Sequence, residues 1–349
     1  MLRALIRPRP EPLPSLFRFF FTPIRSCDHV ALQRRSLVDK IAVASPRGTL
    51  AVASVLVGLV SPFITLSGEN ATTIVFFRFG LAFLALLPMV VHEWRQYGPM
   101  RRADLLLYAI CGVCFGVDMA LWTPSVLLAG PSVSAVVVNY VQALAVPLVA
   151  WLFFRNRVPW MFFVATPFSL GGIFLLSGIL DGAGGSDLVR GIILSALAGL
   201  TYTVYVVLTG RTNSPHHQGT AMAIVCLVTT VVSTPLLIAT HGPLSLALSA
   251  SSWGWMILIA LSSQVLGWLF CQASMPLVNP SVAATLILIQ PLSAIVFSAV
   301  LVGERLSALQ WLGAIIMLLG IFLIGRAPKR RYRLGIKRPS LRIRRRPVA

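Results

Sequence analysis

The sequence predicts an all-α integral membrane protein with ten transmembrane helices, arranged as two inverted repeats of five. The first observation is compositional: 57% of the 349 residues are hydrophobic, 11% are charged and the mean hydropathy is +0.84. A water-soluble surface needs far more charge. The second is internal similarity: an apolar stretch from Pro131 to Leu176 recurs from Pro280 to Ile324. Both begin with Pro-Ser-Val and carry Gly-Ile-Phe-Leu near the end. This pattern indicates the duplication of a membrane bundle.

The predicted spans are continuous apolar runs of about 20 residues, the length that crosses a bilayer as a helix. Their apolar residues do not alternate with polar ones, which argues against a membrane β-barrel. The fourth and ninth spans begin at the prolines of the two Pro-Ser-Val motifs. The ten predicted spans are residues 48–67, 72–91, 103–127, 131–153, 158–180, 188–210, 219–240, 253–277, 280–302 and 306–325.

We expect four parts along the chain: a basic tail (1–47), two five-helix repeats (48–180 and 188–325) and a second basic tail (326–349). With the N-terminus inside, six loop arginines fall on the inner side and two on the outer side. This distribution follows the positive-inside rule. Because each repeat has an odd number of spans, the two repeats insert in opposite orientations. The expected location is the plasma (inner) membrane, with both termini in the cytoplasm.

The net charge of +19 belongs mainly to the two tails. Residues 1–47 carry nine basic and three acidic residues, and residues 326–349 carry eleven basic and no acidic residue. Neither tail shows a fold or interleaved aromatic residues that would read bases, so no nucleic-acid partner is expected. The tails are expected to contact the anionic headgroups of the membrane. An organellar transit peptide within residues 1–47 remains an alternative, although such peptides are richer in serine.

The sequence shows no pattern that predicts a metal site, a disulfide framework or a bound cofactor. The five cysteines are odd in number and four lie inside predicted spans, so no disulfide framework follows. The chain has no HExxH motif, and no Walker A or GxGxxG motif in a usable context. We therefore expect no metal site, no cofactor and no ATP-driven pump within this chain.

Specific motifs then point to a family. They are Arg78-Phe-Gly-Leu-Ala-Phe-Leu in the second span, Pro-Ser-Val opening the fourth and ninth, Gly303-Glu304-Arg305-Leu306 between the last two, and Gly313 with Gly320-Ile-Phe in the tenth. These motifs resemble the EamA family of the drug/metabolite transporter superfamily, over roughly residues 48–325. The first repeat departs from the pattern, since position 156 is Asn where the second repeat has Glu. The resemblance implies a ten-helix carrier of small metabolites that works by alternating access, with a central cavity between the halves.

Asp118 is the sharpest candidate for a functional side chain, because it lies near the middle of the third span. Charged side chains at that depth are costly and mark substrate or proton pathways. Helical spacing places it on one face with Cys114, Trp122 and Ser125. Asp118 either carries a proton or binds a substrate amine, or it is a structural carboxyl that is protonated or paired with an arginine.

Arg78 is the one basic residue deep inside a predicted span, since Arg190 stands near the start of the sixth. Arg78 either pairs with Glu69 or Asp118, as a structural or gating charge, or contacts an anionic substrate directly. Polar and aromatic residues on other spans share helix faces that could line the cavity. Their amides suit a polar metabolite, but also plain interhelical hydrogen bonds of about 0.6 kcal/mol. The predicted cavity residues are Asp118, Trp122, Asn139, Gln142, Tyr202, Gln264, Trp268 and Gln290.

These features favour a secondary-active transporter, an exporter of small polar metabolites, rather than an enzyme. Two alternatives stay open. A non-transporting membrane scaffold or sensor would account for the long basic tails. An intramembrane enzyme using Asp118 would need a second catalytic group at the same depth, and no other carboxylate lies deep in a span. The substrate, the coupling ion and the assembly state, a homodimer included, are left open by the residues.

Overall fold

The computed structural model describes residues 37–154, 167, 171–172, 174–176, 185–209, 216–278 and 280–326. Within these residues every regular element is helical and there is no strand. The principal helices are α1 (Leu37–Ala44), α2 (Pro46–Ser67), α3 (Ala71–Tyr97), α4 (Arg102–Ala129), α5 (Pro131–Phe154), α6 (Ser186–Thr209), α7 (Gln218–His241), α8 (Ala250–Ser274), α9 (Pro280–Ile287), α10 (Ile289–Phe297) and α11 (Ala308–Arg326).

In this described part, seven helical segments are long and apolar enough to cross a membrane. Two further apolar helical segments, Pro131–Val146 and Ala308–Gly320, are shorter. The prediction of a helical, multi-pass membrane protein is therefore confirmed. Most of the predicted fifth span (158–180) and of both basic tails lies outside the described residues. The part of the first tail that is described contains α1, so helical structure begins upstream of the first predicted span.

Local sequence explains where the helices begin and end. The Asn70 side chain accepts a hydrogen bond from the Thr73 backbone N–H at 2.8 Å and caps the start of α3. Ser249 caps α8 in the same way through Ser252, at 3.0 Å. Both interactions satisfy a backbone donor that the first helical turn leaves unpaired.

Two apolar helical runs are broken close to a proline. The run Pro46–Ser67 is interrupted at Leu59, three residues before Pro62. The run from Pro280 is interrupted at Leu288, three residues before Pro291, and this break separates α9 from α10. A proline inside a helix lacks the N–H donor and collides with the preceding turn, which accounts for both breaks.

Equivalent close contacts occur at two glycines in helices from the two halves of the chain. A Cβ atom on Gly199 of α6 would lie 2.8 Å from the Val138 carbonyl oxygen of α5. A Cβ atom on Gly58 of α2 would overlap the Gln290 carbonyl oxygen of α10. Small residues let the backbones of membrane helices approach this closely. The first helix of each half thus packs against the Pro-Ser-Val helix region of the other half.

Helices α3 and α7 run antiparallel and are bonded at both ends. At one end the Thr72 hydroxyl donates to the Gly242 carbonyl oxygen at 2.9 Å. At the other end the Glu93 carboxylate accepts from the backbone N–H groups of Gly219 and Thr220, each at 2.8 Å. Helix α7 also packs on α4, and α4 packs extensively on α6.

The outer surface of the bundle is apolar. Val231 on α7 is 65% exposed, and Val300, just after α10, is 73% exposed. A soluble protein rarely exposes so many large apolar side chains in a continuous surface. Since the buried side chains include Arg78, Glu93 and Asp118, the polarity is directed inwards, as a lipid environment requires.

Candidate functional site

A cavity of about 70 Å³ lies between α2, α3, α4, α5, α6, α8 and α10. Both halves of the chain contribute to its wall. This volume holds a few water molecules. It is well below the roughly 300–1,000 Å³ typical of ligand pockets, so this conformation leaves only a small space between the helices.

Arg78 is buried in the cavity wall among neutral groups. One of its terminal nitrogens, Nη2, donates to the Gln264 side-chain oxygen at 2.9 Å, and Nη1 lies 3.7 Å from the Met119 sulfur. Its guanidinium carbon is 4.8 Å from the centre of the Phe79 ring and 5.8 Å from that of Trp122. Aromatic faces attract cations at such distances. The remaining nitrogen, Nε, is buried without a hydrogen-bond partner.

Asp118 lines the same cavity and is 1% exposed. Its Oδ1 atom has no hydrogen-bond partner. The hydrogen bonds of Arg78 go to Gln264 and Met119 instead of to Asp118. A buried, unpaired polar atom is costly, and in a transporter such an atom is a candidate contact for cargo or for a proton.

An aromatic wall closes one side of the cavity. The ring centres of Tyr202 and Trp268 are 6.1 Å apart, and those of Phe115 and Trp268 are 5.9 Å apart. Tyr205 stacks behind them, 4.7 Å from Phe115. The indole N–H groups of Trp122 and Trp268 are buried without a partner. The wall therefore combines flat apolar surface with two free hydrogen-bond donors.

The structure brings seven of the ten predicted site residues together around this cavity: Arg78, Asp118, Trp122, Asn139, Tyr202, Trp268 and Gln290. It places the other three elsewhere. Gln264 lies behind the wall, fully buried, with its oxygen on Arg78. Gln142 is half-buried on α5, away from the lining. Glu69 lies in the loop before α3, roughly 10 Å along the helix axis from Arg78, so their predicted pairing is not formed.

Asn139 on α5 and Gln290 on α10 both line the cavity. The Asn139 side-chain nitrogen donates to the Ala135 carbonyl oxygen of its own helix at 2.8 Å. Phe115 also lines the cavity but was not predicted, although it lies three residues before Asp118 and so shares its helix face.

Among the described residues, no three His, Cys, Asp or Glu side chains gather into a group that could hold a metal ion.

Comparison with known proteins gives two curated relatives of similar length. The chain is 25% identical over 267 residues to the uncharacterized transporter YwfM of Bacillus subtilis (strain 168), covering 76% of this chain and 88% of the relative. It is 24% identical over 278 residues to an uncharacterized transporter of Archaeoglobus fulgidus, covering 79% and 95%. A solved structure, described only as the crystal structure of a protein, covers 84% of this chain and 98% of its own, with 18% identity and a TM-score of 0.48.

The sequence model of the EamA-like transporter family matches residues 48–178 and again residues 189–326. The two matches together cover most of the chain and leave out the basic tails. The motifs that suggested this family therefore belong to two family repeats. The chain is a multi-pass membrane protein and belongs to the EamA-like transporter family.

Proposed function

We propose that this protein is a secondary-active transporter that exports a small polar molecule by alternating access. The observation that carries the proposal is the cavity between the two repeats, whose wall includes four residues with buried, unpaired polar atoms: Arg78, Asp118, Trp122 and Trp268. Unpaired polar atoms inside a membrane bundle are costly to keep unless a ligand or ion uses them. The family and the names of the relatives support transport as the activity.

The proposed architecture has ten transmembrane helices in two inverted repeats, with both termini in the cytoplasm and the bundle in the inner membrane. The antiparallel pairing of α3 with α7 supports the inversion, because these helices occupy equivalent positions in the two family matches. The equivalent close packing at Gly58 and Gly199 supports it further. The basic tails would rest on the anionic headgroups of the cytoplasmic leaflet.

In the proposed mechanism, Asp118 binds an amine of the substrate or carries the coupled proton. Asn139 and Gln290 offer amide groups from two different helices of the cavity wall. Tyr202 and Trp268 cover the less polar part of the substrate. Since the cavity of about 70 Å³ is too small for a metabolite, loading requires the helices around it to separate towards one side of the membrane.

A growth screen tests this function. Cells that overproduce the protein, and cells that do not, would be exposed to toxic amino acids, nucleosides and drugs. We expect resistance to one chemical class, loss of that resistance in Asp118→Asn, and its retention in Asp187→Asn, a matched change of an exposed carboxylate at the start of α6. Size-exclusion profiles in detergent would verify that each variant is folded. Unchanged resistance in Asp118→Asn would rule out the role of Asp118, and no resistance to any compound would count against export.

A further inference from the structure

The carboxylate of Glu304 joins two helical segments that carry cavity residues. It accepts hydrogen bonds from the Ser132 backbone N–H, at 3.2 Å, and from the Ser132 hydroxyl. Ser132 lies at the start of α5, the helix of Asn139. Glu304 follows the helical turn Ser298–Val302, which continues α10, the helix of Gln290. The two residues are 172 positions apart and belong to different family repeats.

Local structure favours this contact in three ways. The carboxylate faces the first turn of α5, where free N–H groups and the helix dipole attract negative charge. Gly130, with φ +86°, leaves room for it, because a Cβ atom there would come within 2.5 Å of the Glu304 Oε1 atom. Gly303, with φ +74°, turns the chain so that Glu304 reaches α5. Burial raises the pKa of the Glu304 carboxyl, while the hydrogen bonds from Ser132 oppose that rise.

The contact lies at one membrane face, and the connectivity identifies which. Helices α3 and α4 contain 27 and 28 residues, so each is about 40 Å long and crosses the bundle. The start of α3, the end of α4 and the start of α5 therefore share one face, which we name the Ser132 side. Glu93, near the end of α3, belongs to the opposite face, which we name the Glu93 side.

We propose that Glu304 is a latch residue whose bond to Ser132 keeps the transport pathway closed on the Ser132 side. This inference rests on the proposed alternating-access function. Opening towards the Ser132 side requires the α5 and α10 walls to separate at that end, and the latch joins them there. The bond therefore breaks each time the cavity opens to that side and forms again when it closes.

The contacts at the two membrane faces hold different pairs of helices together. On the Glu93 side, Glu93 also bonds the start of a helix, through Gly219 and Thr220 of α7. That pair of helices is bonded at its other end as well, by Thr72 and Gly242. Helices α3 and α7 would therefore move as a unit, whereas α5 and α10 are the cavity walls that the latch can release.

Cysteine accessibility tests the latch without knowledge of the substrate. In a variant lacking all five native cysteines, Ala135→Cys introduces a thiol at a buried cavity position one helical turn after Ser132. A membrane-impermeant maleimide would be added to sealed vesicles from either side. Adding Glu304→Ala should raise the labelling rate from the Ser132 side by roughly tenfold. This substitution removes the carboxylate that bonds Ser132, and with it the stabilisation of the closed state.

Matched variants make the result specific. Ser132→Ala removes one of the two bonds and should give a smaller increase, and combining it with Glu304→Ala should add little, because both changes break one contact. Glu304→Gln keeps an oxygen acceptor in place and should restore most of the slow labelling. Thr220→Ala weakens the Glu93 contact on the opposite face and should leave labelling from the Ser132 side unchanged.

Equal labelling rates in the Glu304→Ala and parent proteins, both folded in detergent, would overturn the latch. So would additive effects of Glu304→Ala and Ser132→Ala. The outcome is separable from that of the growth screen. Faster labelling of Glu304→Ala, in a protein that confers no resistance, would support the latch and count against the proposed export. Resistance with unchanged labelling would do the reverse.

Discussion

At the scale of single residues, the main feature of the site is how Arg78 is stabilised. A buried guanidinium normally finds a carboxylate, but here a neutral amide oxygen, a sulfur atom and two aromatic rings surround it. Asp118, which lines the cavity, is left with a buried and unpaired Oδ1 atom. Gln264 therefore acts on the cavity indirectly, by holding Arg78 in place from the other repeat.

We predict that Gln264→Ala lowers the free energy of unfolding by about 1.5–3 kcal/mol, since it removes a hydrogen bond to a buried charge. Chemical or thermal unfolding in detergent would measure the change. Gln272→Ala is the matched control, because Gln272 is half-buried on the same helix and bonds only the Met222 sulfur, at 3.8 Å. Equal losses in the two variants would show that the bond to Arg78 is not the cause.

The placement of Gln264 shows why residue positions were only partly predictable. Its four-residue spacing from Trp268 predicted one shared helix face, which holds for a regular α-helix. The structure has a π-helical segment over Ile259–Gly267, and the wider turn of such a segment shifts the register. Trp268 consequently lines the cavity while Gln264 points to Arg78. Nothing in the local sequence, which has no proline there, signals this segment.

At the scale of helices, hydropathy predicted the apolar segments well because lipid demands long continuous apolar runs. Every predicted span that the structure describes overlaps an apolar helical segment. A proline inside a helix favours a kink, and two breaks lie three residues before Pro62 and Pro291. Helix α4 continues through Pro124 and α7 through Pro235. Neighbouring helices decide whether a proline breaks a membrane helix, and a single sequence does not record those neighbours.

Close contact between helices gives a prediction at this scale. Gly199→Ala should lower the free energy of unfolding by about 1–3 kcal/mol, because its Cβ atom would lie 2.8 Å from the Val138 carbonyl oxygen and push α6 away from α5. Unfolding in detergent measures the loss. Gly254→Ala in α8 is the matched control, since nothing lies within 4 Å of a Cβ atom there. A change in Gly254→Ala as large as that in Gly199→Ala would contradict the packing argument.

At the scale of the whole molecule, the inverted arrangement makes a prediction about the two ends of the chain. The proposed even number of spans would place both termini on one side, and the loop arginines predict that this side is the cytoplasm. Fusions of a reporter that is active only in the cytoplasm should therefore report activity at both the N- and the C-terminus. A reporter fused after Gly130, on the Ser132 side, should report the opposite compartment. Termini on opposite sides would contradict the ten-helix, two-repeat proposal.

The packing of α3 against α7 has a further consequence for any attempt to split the chain into two fragments. Helix α3 belongs to the first copy of the duplicated unit and α7 to the second, yet the two are bonded at both ends. In the proposed alternating-access cycle, the bodies that move against each other would therefore each contain helices of both copies. Cutting the chain between its copies would separate partners that travel together, so neither fragment alone would retain a complete moving body.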